Sequence, residues 1–428
     1  MRLTTWRAGG QYGIGGHVAD MRVAVVGAGI GGLTLAIALQ QRGVPVRVFE
    51  QARDLSEVGA GVALTANSTR LLRRLGAGDE LAAVSDEPSQ LVIRHWRSGR
   101  IIVSHAMRQA YQDAFGAPLW TLHRVDLQRA LVNRVNLEAV ELGRRCIGVA
   151  QTSDGVTLAF EDGGEAKTDV VVGADGVRSE VRRVALMAQA PVFSGTVGYR
   201  GLVPVGRLPS LPDRSPLQFW AGPRRHLLHY SIRGGQVINF LAVVRQREWM
   251  AESWMEPCPV EEVLAAYEGW HPAVLEMVGS VEQASRWALF DHEPLERWSA
   301  GRVVLLGDAA HAMLPHQGQG ANQTIEDAVV LADCLAGAAS DGVDCALTRY
   351  EAQRRARTAQ VQRYSRLTAN CLHLPEGRAT EVRDAGFETL PTDLAWIHRF
   401  DVQGGSISEL EGPRDSEPGW VRAGEQFG

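Results

Sequence analysis

The chain lacks the features that mark a disulfide-stapled or membrane-spanning protein. Its five cysteines, Cys146, Cys258, Cys334, Cys345 and Cys371, show no CxxC pair and no zinc spacing, and their number is odd. A disulfide framework and a structural metal site are excluded on that pattern, and a reduced, cytoplasmic protein is the expectation. No uninterrupted apolar run approaches the ~20 residues needed to span a bilayer. The first twenty residues, MRLTTWRAGGQYGIGGHVAD, lack the apolar core of a signal peptide and read as a loose extension. Neither sign of charge dominates: 44 Lys+Arg stand against 49 Asp+Glu, a net charge of -5. Neither nucleic acid nor an anionic membrane surface is therefore an expected partner.

Glycine is plentiful instead, at 46 residues, which suggests many tight turns in an α/β protein. At 428 residues the chain has room for two or three domains, and its 45% hydrophobic and 22% charged residues are globular values. The organising stretch is Met21 to Glu50, MRVAVVGAGIGGLTLAIALQQRGVPVRVFE. Arg22-Val23-Ala24-Val25-Val26 is short and apolar on both faces, the pattern of a central parallel strand. In the following Gly27-Ala28-Gly29-Ile30-Gly31-Gly32, Gly27 permits a tight turn and Gly29 lets backbone approach a pyrophosphate. Gly32 lets the next helix pack closely on the strand. Leu33 to Gly43 fit that helix, and Val46 to Phe49 fit the next parallel strand. Glu50 closes it about 20 residues past the glycines, where a carboxylate accepts hydrogen bonds from an adenosine ribose. FAD and NAD both satisfy these features.

Arg53 and a glycine-bearing loop, Glu57 to Val62, come next, and the loop is suited to bring backbone against a flat ligand. Ala66 to Leu75 predicts a helix, 88–120 short strands, and Leu122 to Val135 a helix with Arg124 near its start in reach of a phosphate. Asp169 to Val172 predicts a strand that ends in Gly173-Ala174-Asp175-Gly176-Val177-Arg178-Ser179, a turn placed to face the first glycine loop. From Pro191 to about Phe290, alternating aromatic-rich segments predict an antiparallel sheet. His226 to Ile232 and Val237 to Val244 form its clearest hairpin, turning at Arg233-Gly234-Gly235-Gln236. The strand period puts His226, Leu228 and Tyr230 on one face. Arg302 to Leu306 predicts a third buried strand, with Asp308 at its carboxyl end, the ligand edge of an α/β sheet. A helix over Thr324 to Leu335 would aim its positive end at that edge. In the helix from Asp344 to Leu372, Arg354-Arg355-Ala356-Arg357 reads as a solvated face. After Gly404 the polar tail reads as disordered.

Three separated elements thus stand together: GAGIGG at 27–32 with Glu50, GADGVRS at 173–179, and GDAAHAMLPHQGQGANQTIEDA at 307–328. The set resembles the single-component FAD-dependent aromatic hydroxylases, the group containing 4-hydroxybenzoate hydroxylase. Within it the chain is similar to the salicylate hydroxylase and 6-hydroxynicotinate monooxygenase branch. The residues behind that are His226 and Tyr230 in HLLHY, Trp270-His271-Pro272-Ala273-Val274, and Trp396-Ile397-His398-Arg399-Phe400-Asp401. The resemblance spans about Arg22 to Val402 and turns the cofactor choice to FAD. It implies an α/β fold in which a Rossmann-like FAD-binding domain, residues 21–190 and 291–402 with the C-terminal helices, carries an inserted antiparallel-sheet substrate domain at 191–290. A flexible tail is expected at 403–428.

By the same resemblance Gly27, Gly29 and Gly32 hold the pyrophosphate, Glu50 the adenosine ribose, Arg124 the phosphate side and Asp308 the ribityl chain. Pro315 lies beside the isoalloxazine, and Gly320, Ala321 and Asn322 meet its pyrimidine edge. Arg53 and Val62 complete the cofactor-binding set, and Asp175 with Arg178 serves both FAD and the nicotinamide donor. With no second Rossmann motif, NADH or NADPH binds transiently. No metal belongs to the site. The implied activity is hydroxylation of a small phenolic or hydroxybenzoate-like ring with O2 through a flavin C4a-hydroperoxide, by a monomer or homodimer. His226 takes the phenolic proton, with Tyr230 as partner or relay. Nicotinate-type relatives carry a histidine where Ala63 stands here, which favours a benzoate- or phenol-like ring. A reductase or dehydrogenase of the same fold is the alternative, and a non-enzymatic flavoprotein a third.

Overall fold

The computed structural model describes residues 21–55, 60–186, 191–246, 255–282, 284–404 and 418–427. The extension at 1–20 and the first part of the 57–62 loop fall outside them. Strand Val23–Val26 is buried along its whole length and pairs in parallel with Val46–Phe49 on one side and Val170–Gly173 on the other. Val303–Leu305 joins beyond Val170–Gly173, so a segment some 280 residues downstream completes the same sheet. Two helices, Ile30–Gln41 and Gly320–Ala336, lie against each other on this sheet. Their N-terminal ends both meet the carboxyl edge of its strands, which is where α/β sheets bind ligands.

The second sheet has eight strands in the order Met255–Cys258, Ala284–Asp291, Val192–Pro204, Val237–Arg245, Arg225–Ile232, Leu217–Gly222, Gln90–His95, Ile101–Ala106. The last two lie outside the 191–290 boundary expected for this unit. Leu217–Gly222 pairs in parallel with Gln90–His95, a long-range pairing that a boundary drawn on contiguous composition misses. The expected hairpin is present: Ile232 faces Val237, and Arg233, Gly234 and Gly235 turn with φ of 57°, 67° and 76°. Helices Val260–Ala266 and Pro272–Gly279 cover the outer face over Trp220, Leu227 and Phe240. The inner face looks toward the first sheet, with Leu241, Val243 and Leu289 against Leu314, and Asn239 Oδ1 accepting from Gly61 N at 2.8 Å.

Three local expectations are corrected. Trp120–His123 is a fully buried strand paired with Gly61–Leu64, and the helix starts only at Arg124, because the His123 side chain caps it by accepting from Val125 N at 3.3 Å. The tail is not wholly irregular: Gly419–Phe427 is a helix whose Trp420 and Val421 are buried against Tyr364 and Cys371. Two of the three arginines read as a solvated face, Arg354 and Arg357, are 1% and 2% exposed, while Arg355 is on the surface. A helical period puts those two one turn apart on the buried side, where Glu326 and Asp327 of the Gly320–Ala336 helix meet them.

Candidate active site

The first glycine turn is shaped by what it must avoid. Gly27 has a φ of +105°, and a Cβ there would sit 2.5 Å from the Ala174 carbonyl oxygen. A side chain on Gly32 would strike the Gly27 carbonyl and the Val25 side chain, so Gly32 serves helix packing and does not line the cleft. Gly29 has no atom within 4 Å of its missing Cβ, and it precedes helix Ile30–Gln41 with no side-chain cap. The uncapped amides of that turn therefore face open space, which suits an anion. Glu50 Oε2 accepts from Ala28 N at 2.7 Å and Oε1 from Ala52 N at 2.8 Å, which fixes the carboxylate beside the turn.

A cleft of about 670 Å³ opens at this edge, and it brings together Gly27, Gly29, Glu50, Arg124, Asp175, Asp308, Gly320 and Ala321 from the expected set, with Arg178. Asp308 is exposed there at the end of strand Val303–Leu305. Asp175 Oδ2 accepts from Glu180 N at 2.8 Å and Val181 N at 3.1 Å, so this carboxylate caps the next helix, and burial raises its pKa above the ordinary value. Arg53, Val62, Pro315 and Asn322 do not line the cleft. Arg53 is exposed on the surface, and Val62 pairs with Leu122 in the small two-stranded sheet. The Asn322 side chain is fully engaged within the protein: Oδ1 accepts from Thr65 N and Ser68 Oγ, and Nδ2 donates to the Ala63 and Gly318 carbonyls. An uncapped helix start, an open glycine and carboxylates at both ends fit a flavin dinucleotide, whose pyrophosphate would lie on Gly29 and whose hydroxyls would meet Glu50 and Asp308.

On the second sheet, His226 is buried on the inner face and its Nδ1 lies 2.7 Å from His373 Nε2. The His316 ring stands 5.1 Å from that of His226, edge-on, with neither of its nitrogens hydrogen-bonded among the described residues. Burial holds all three imidazoles neutral: it pushes His316 down to about 3, and it depresses His226 and His373 well below 6.5, helped by their neighbours in the cluster. Tyr230 shares the face and is buried, and burial raises its hydroxyl's pKa. It is not joined to His226. Four residues of strand separate them by roughly 13 Å, so a direct relay between them is ruled out. His373 is the residue that sequence reasoning missed. It caps the long helix Ala338–Leu372, 147 residues from its partner, and no motif contains it. His316 was visible inside the HQGQG loop but unassigned.

A flavin-sized cleft at the carboxyl edge of the parallel sheet, with an imidazole pair on the inner face of the second sheet, defines a flavoprotein oxidoreductase. The FAD binding domain family model matches residues 20–365, and the chain belongs to that family. Among curated relatives, 3-amino-4-hydroxybenzoate 2-monooxygenase of Streptomyces platensis is 41% identical over 390 residues, 90% of this chain and 98% of that protein. The 6-hydroxynicotinate 3-monooxygenase of Pseudomonas fluorescens is 34% identical over 80% of this chain and 90% of its own length. A solved salicylate hydroxylase substrate complex superposes with a TM-score of 0.79 at 30% identity, covering 92% of this chain and 97% of the other. The resemblance to the salicylate and hydroxynicotinate branch is borne out, and the protein is an FAD-dependent aromatic hydroxylase. The reductase alternative is not favoured. Among the described residues no helix is long and apolar enough to cross a membrane.

Proposed function

We propose that the enzyme hydroxylates a phenolic ring bearing a carboxylate, with NADH or NADPH as a transient donor, and that His226 is the base that activates the ring. The observation that carries this reading is the 2.7 Å contact between His226 Nδ1 and His373 Nε2 on the inner sheet face. When bound, FAD supplies hydride acceptance and oxygen activation. The chain's own residues supply the ring's activation and its shielding from water. A phenolate is more electron-rich than a phenol, so removing the hydroxyl proton favours attack on the ring. For His226 Nε2 to accept that proton, Nδ1 must carry the hydrogen and donate it to His373 Nε2. His373 then fixes the tautomer and takes up the charge. It also lines a second cleft of about 760 Å³, and burial, the His316 ring and the charges of Arg245 and Arg225 make that imidazolium short-lived. Ala63, where a nicotinate-type enzyme has histidine, supports a benzoate-like ring, as does the similarity to an aminohydroxybenzoate monooxygenase.

The experiment is NADH and NADPH oxidation with 3-amino-4-hydroxybenzoate, salicylate, 3-hydroxybenzoate and 6-hydroxynicotinate, with products identified. Oxidation that depends on a hydroxybenzoate and yields a hydroxylated product is expected. Oxidation indifferent to every phenol, with no product, would refute the substrate reading. For the base, His226→Ala should slow hydroxylation by roughly a hundredfold or more, within the usual range for general base catalysis. More hydrogen peroxide should form per NAD(P)H consumed. His373→Gln keeps a hydrogen-bond acceptor but cannot pass a proton on. It should retain substrate affinity and lose rate, and normal turnover in that variant would restrict His373 to orienting the ring.

A further inference from the structure

The inner face of the eight-stranded sheet is laid out in rows across its strands. His226, Val243 and Gly198 form one row; Leu228, Leu241 and Arg200 the next; Tyr230, Asn239 and Leu202 the third. Arg200 thus stands in an apolar row between that of the imidazole and that of the phenol. Its sequence neighbours confirm the direction, since Val197, Tyr199 and Val203 point the other way into the helix-covered core. Arg200 Nε is buried without a hydrogen-bond partner, and among the described residues the guanidinium has no counter-ion. The Trp287 ring, 5.1 Å from Cζ, holds it in place as a cation–π support.

An arginine cannot shed its proton at working pH, and Arg200 is half-buried with its Nε shut away from water, so holding the charge there without a partner costs stability. Burial pulls its pKa down, and the neighbouring Tyr230 hydroxyl pulls it up. Packing alone would be served better by leucine or methionine. In the other arginine-bearing cleft Arg366 is paired with Asp291 and Glu293, and Arg224 and Arg245 are exposed to water.

We infer that Arg200 anchors the substrate's carboxylate, with the ring lying on the Leu228–Leu241 pair and its hydroxyl turned toward His226. This rests on the hydroxybenzoate reading and deepens it, because it makes the carboxylate a condition of binding and names its counter-ion. The planar fork of a guanidinium matches a carboxylate with two parallel hydrogen bonds. Tyr230, in the adjacent row, makes no hydrogen bond among the described residues, so its hydroxyl is a second donor for the same group. Strand geometry sets the Cα atoms of Arg200 and His226 roughly 12 Å apart, two strands and two residues away from each other. Side chains reaching inward from both shorten that span toward the length of one substituted ring.

The test titrates FAD-loaded enzyme with 4-hydroxybenzoate and with 4-hydroxybenzamide, followed by the flavin absorbance change, in wild type, Arg200→Gln and Arg200→Lys. Wild type should prefer the acid by on the order of tenfold to a hundredfold, the worth of a paired, charge-assisted contact. Arg200→Gln should level the two ligands, and Arg200→Lys should keep part of the preference. Equal binding of acid and amide by wild type, binding of neither, or an undiminished preference in Arg200→Gln would each overturn the assignment. If Arg200→Gln fails to retain FAD, Arg200→Lys decides, and a preference equal to wild type's counts against the bidentate anchor. Failure of the functional reading looks different: the acid preference stays and follows Arg200, but no hydroxybenzoate is hydroxylated.

Discussion

Glu50 and Asp308 are single carboxylates lining one cleft, and the exposed Asp308 is not needed to hold the fold. Glu50 accepts two backbone amides, which orients it without satisfying all of its lone pairs. Asp308 is exposed, so its removal leaves no cavity. Hydrogen bonds to a charged group contribute about 1.5–3 kcal/mol each. Glu50→Ala and Asp308→Ala should therefore each weaken FAD binding by roughly tenfold to a hundredfold, measured by flavin fluorescence titration of apoprotein. The apoprotein's Tm should hardly change in Asp308→Ala, and unchanged FAD affinity would remove that residue from the site. Both were legible in the sequence because each stands at a strand end beside a glycine turn, so local order alone locates it. Asn322 was legible only as a position. Its four side-chain partners come from Ala63, Thr65, Ser68 and Gly318, and only the last is near it in sequence. Its amide ties the glycine loop at 318 to the strand at 63, and that role depends on a fold the motif does not contain.

The Gly320–Ala336 helix is the element on which the site depends, and what holds it is a buried polar network. Arg354 donates to Glu326 Oε2 at 2.5 Å and Asp327 Oδ1 at 2.6 Å, Arg357 donates to Glu326 at 2.9 Å, and Asp327 Oδ2 meets His311 Nε2 at 2.5 Å. Asp327 Oδ2 also accepts from Gly307 N at 3.1 Å, which fixes the turn before Asp308. Burial pulls Arg354 down, but the two carboxylates more than offset it and leave its pKa raised. Removing one member leaves a charge uncompensated in the interior. Arg354→Ala should cost about 3–5 kcal/mol, seen as a fall in Tm, and should loosen FAD as the Gly307 turn relaxes. Arg354→Met should cost about as much, because the lost charge and not the lost packing is what Glu326 and Asp327 require. A surface arginine would cost at most about 1 kcal/mol, so a small loss would show that the network contributes little. A run of arginines in a polar helix normally is a solvated face, which is what the residues at 354–357 alone predict. The contrary signal, Glu326-Asp327 inside an apolar helix, lies about thirty residues upstream and acquires meaning only when the two helices pack.

Across the whole molecule the buried histidines make a collective demand on pH. His229 and His316 are pushed down to about 3 and His398 to about 4 by burial, and His226 and His373 lie well below the ordinary value. They come from the second sheet, the Pro315–Gln317 turn and the C-terminal helices, so the effect belongs to several elements at once. All five stay neutral in the folded protein where the unfolded chain, with histidines near 6.5, takes up protons. The unfolded state binds more protons, so stability is full above about pH 6.5 and falls as the pH drops below it. Each neutral histidine contributes up to about 1.4 kcal/mol per pH unit in that window. Glu326 and Asp327, whose pKa values their arginine and histidine partners hold down against burial, are lost only at lower pH, and the raised Asp175 and Asp291 act in the opposite sense. The window from about pH 6.5 to 5 therefore belongs mainly to the histidines. The Tm of FAD-loaded enzyme should fall steeply across it, and His398→Phe, in an aromatic pocket with Tyr111 and Phe115, should lessen the slope by one proton's share. The slope is the readout, since repacking around the new ring shifts Tm at every pH alike. A Tm flat down to about pH 5 would mean that the imidazoles gain protons while folded, and His226 would then lose the neutral form that its role as base requires.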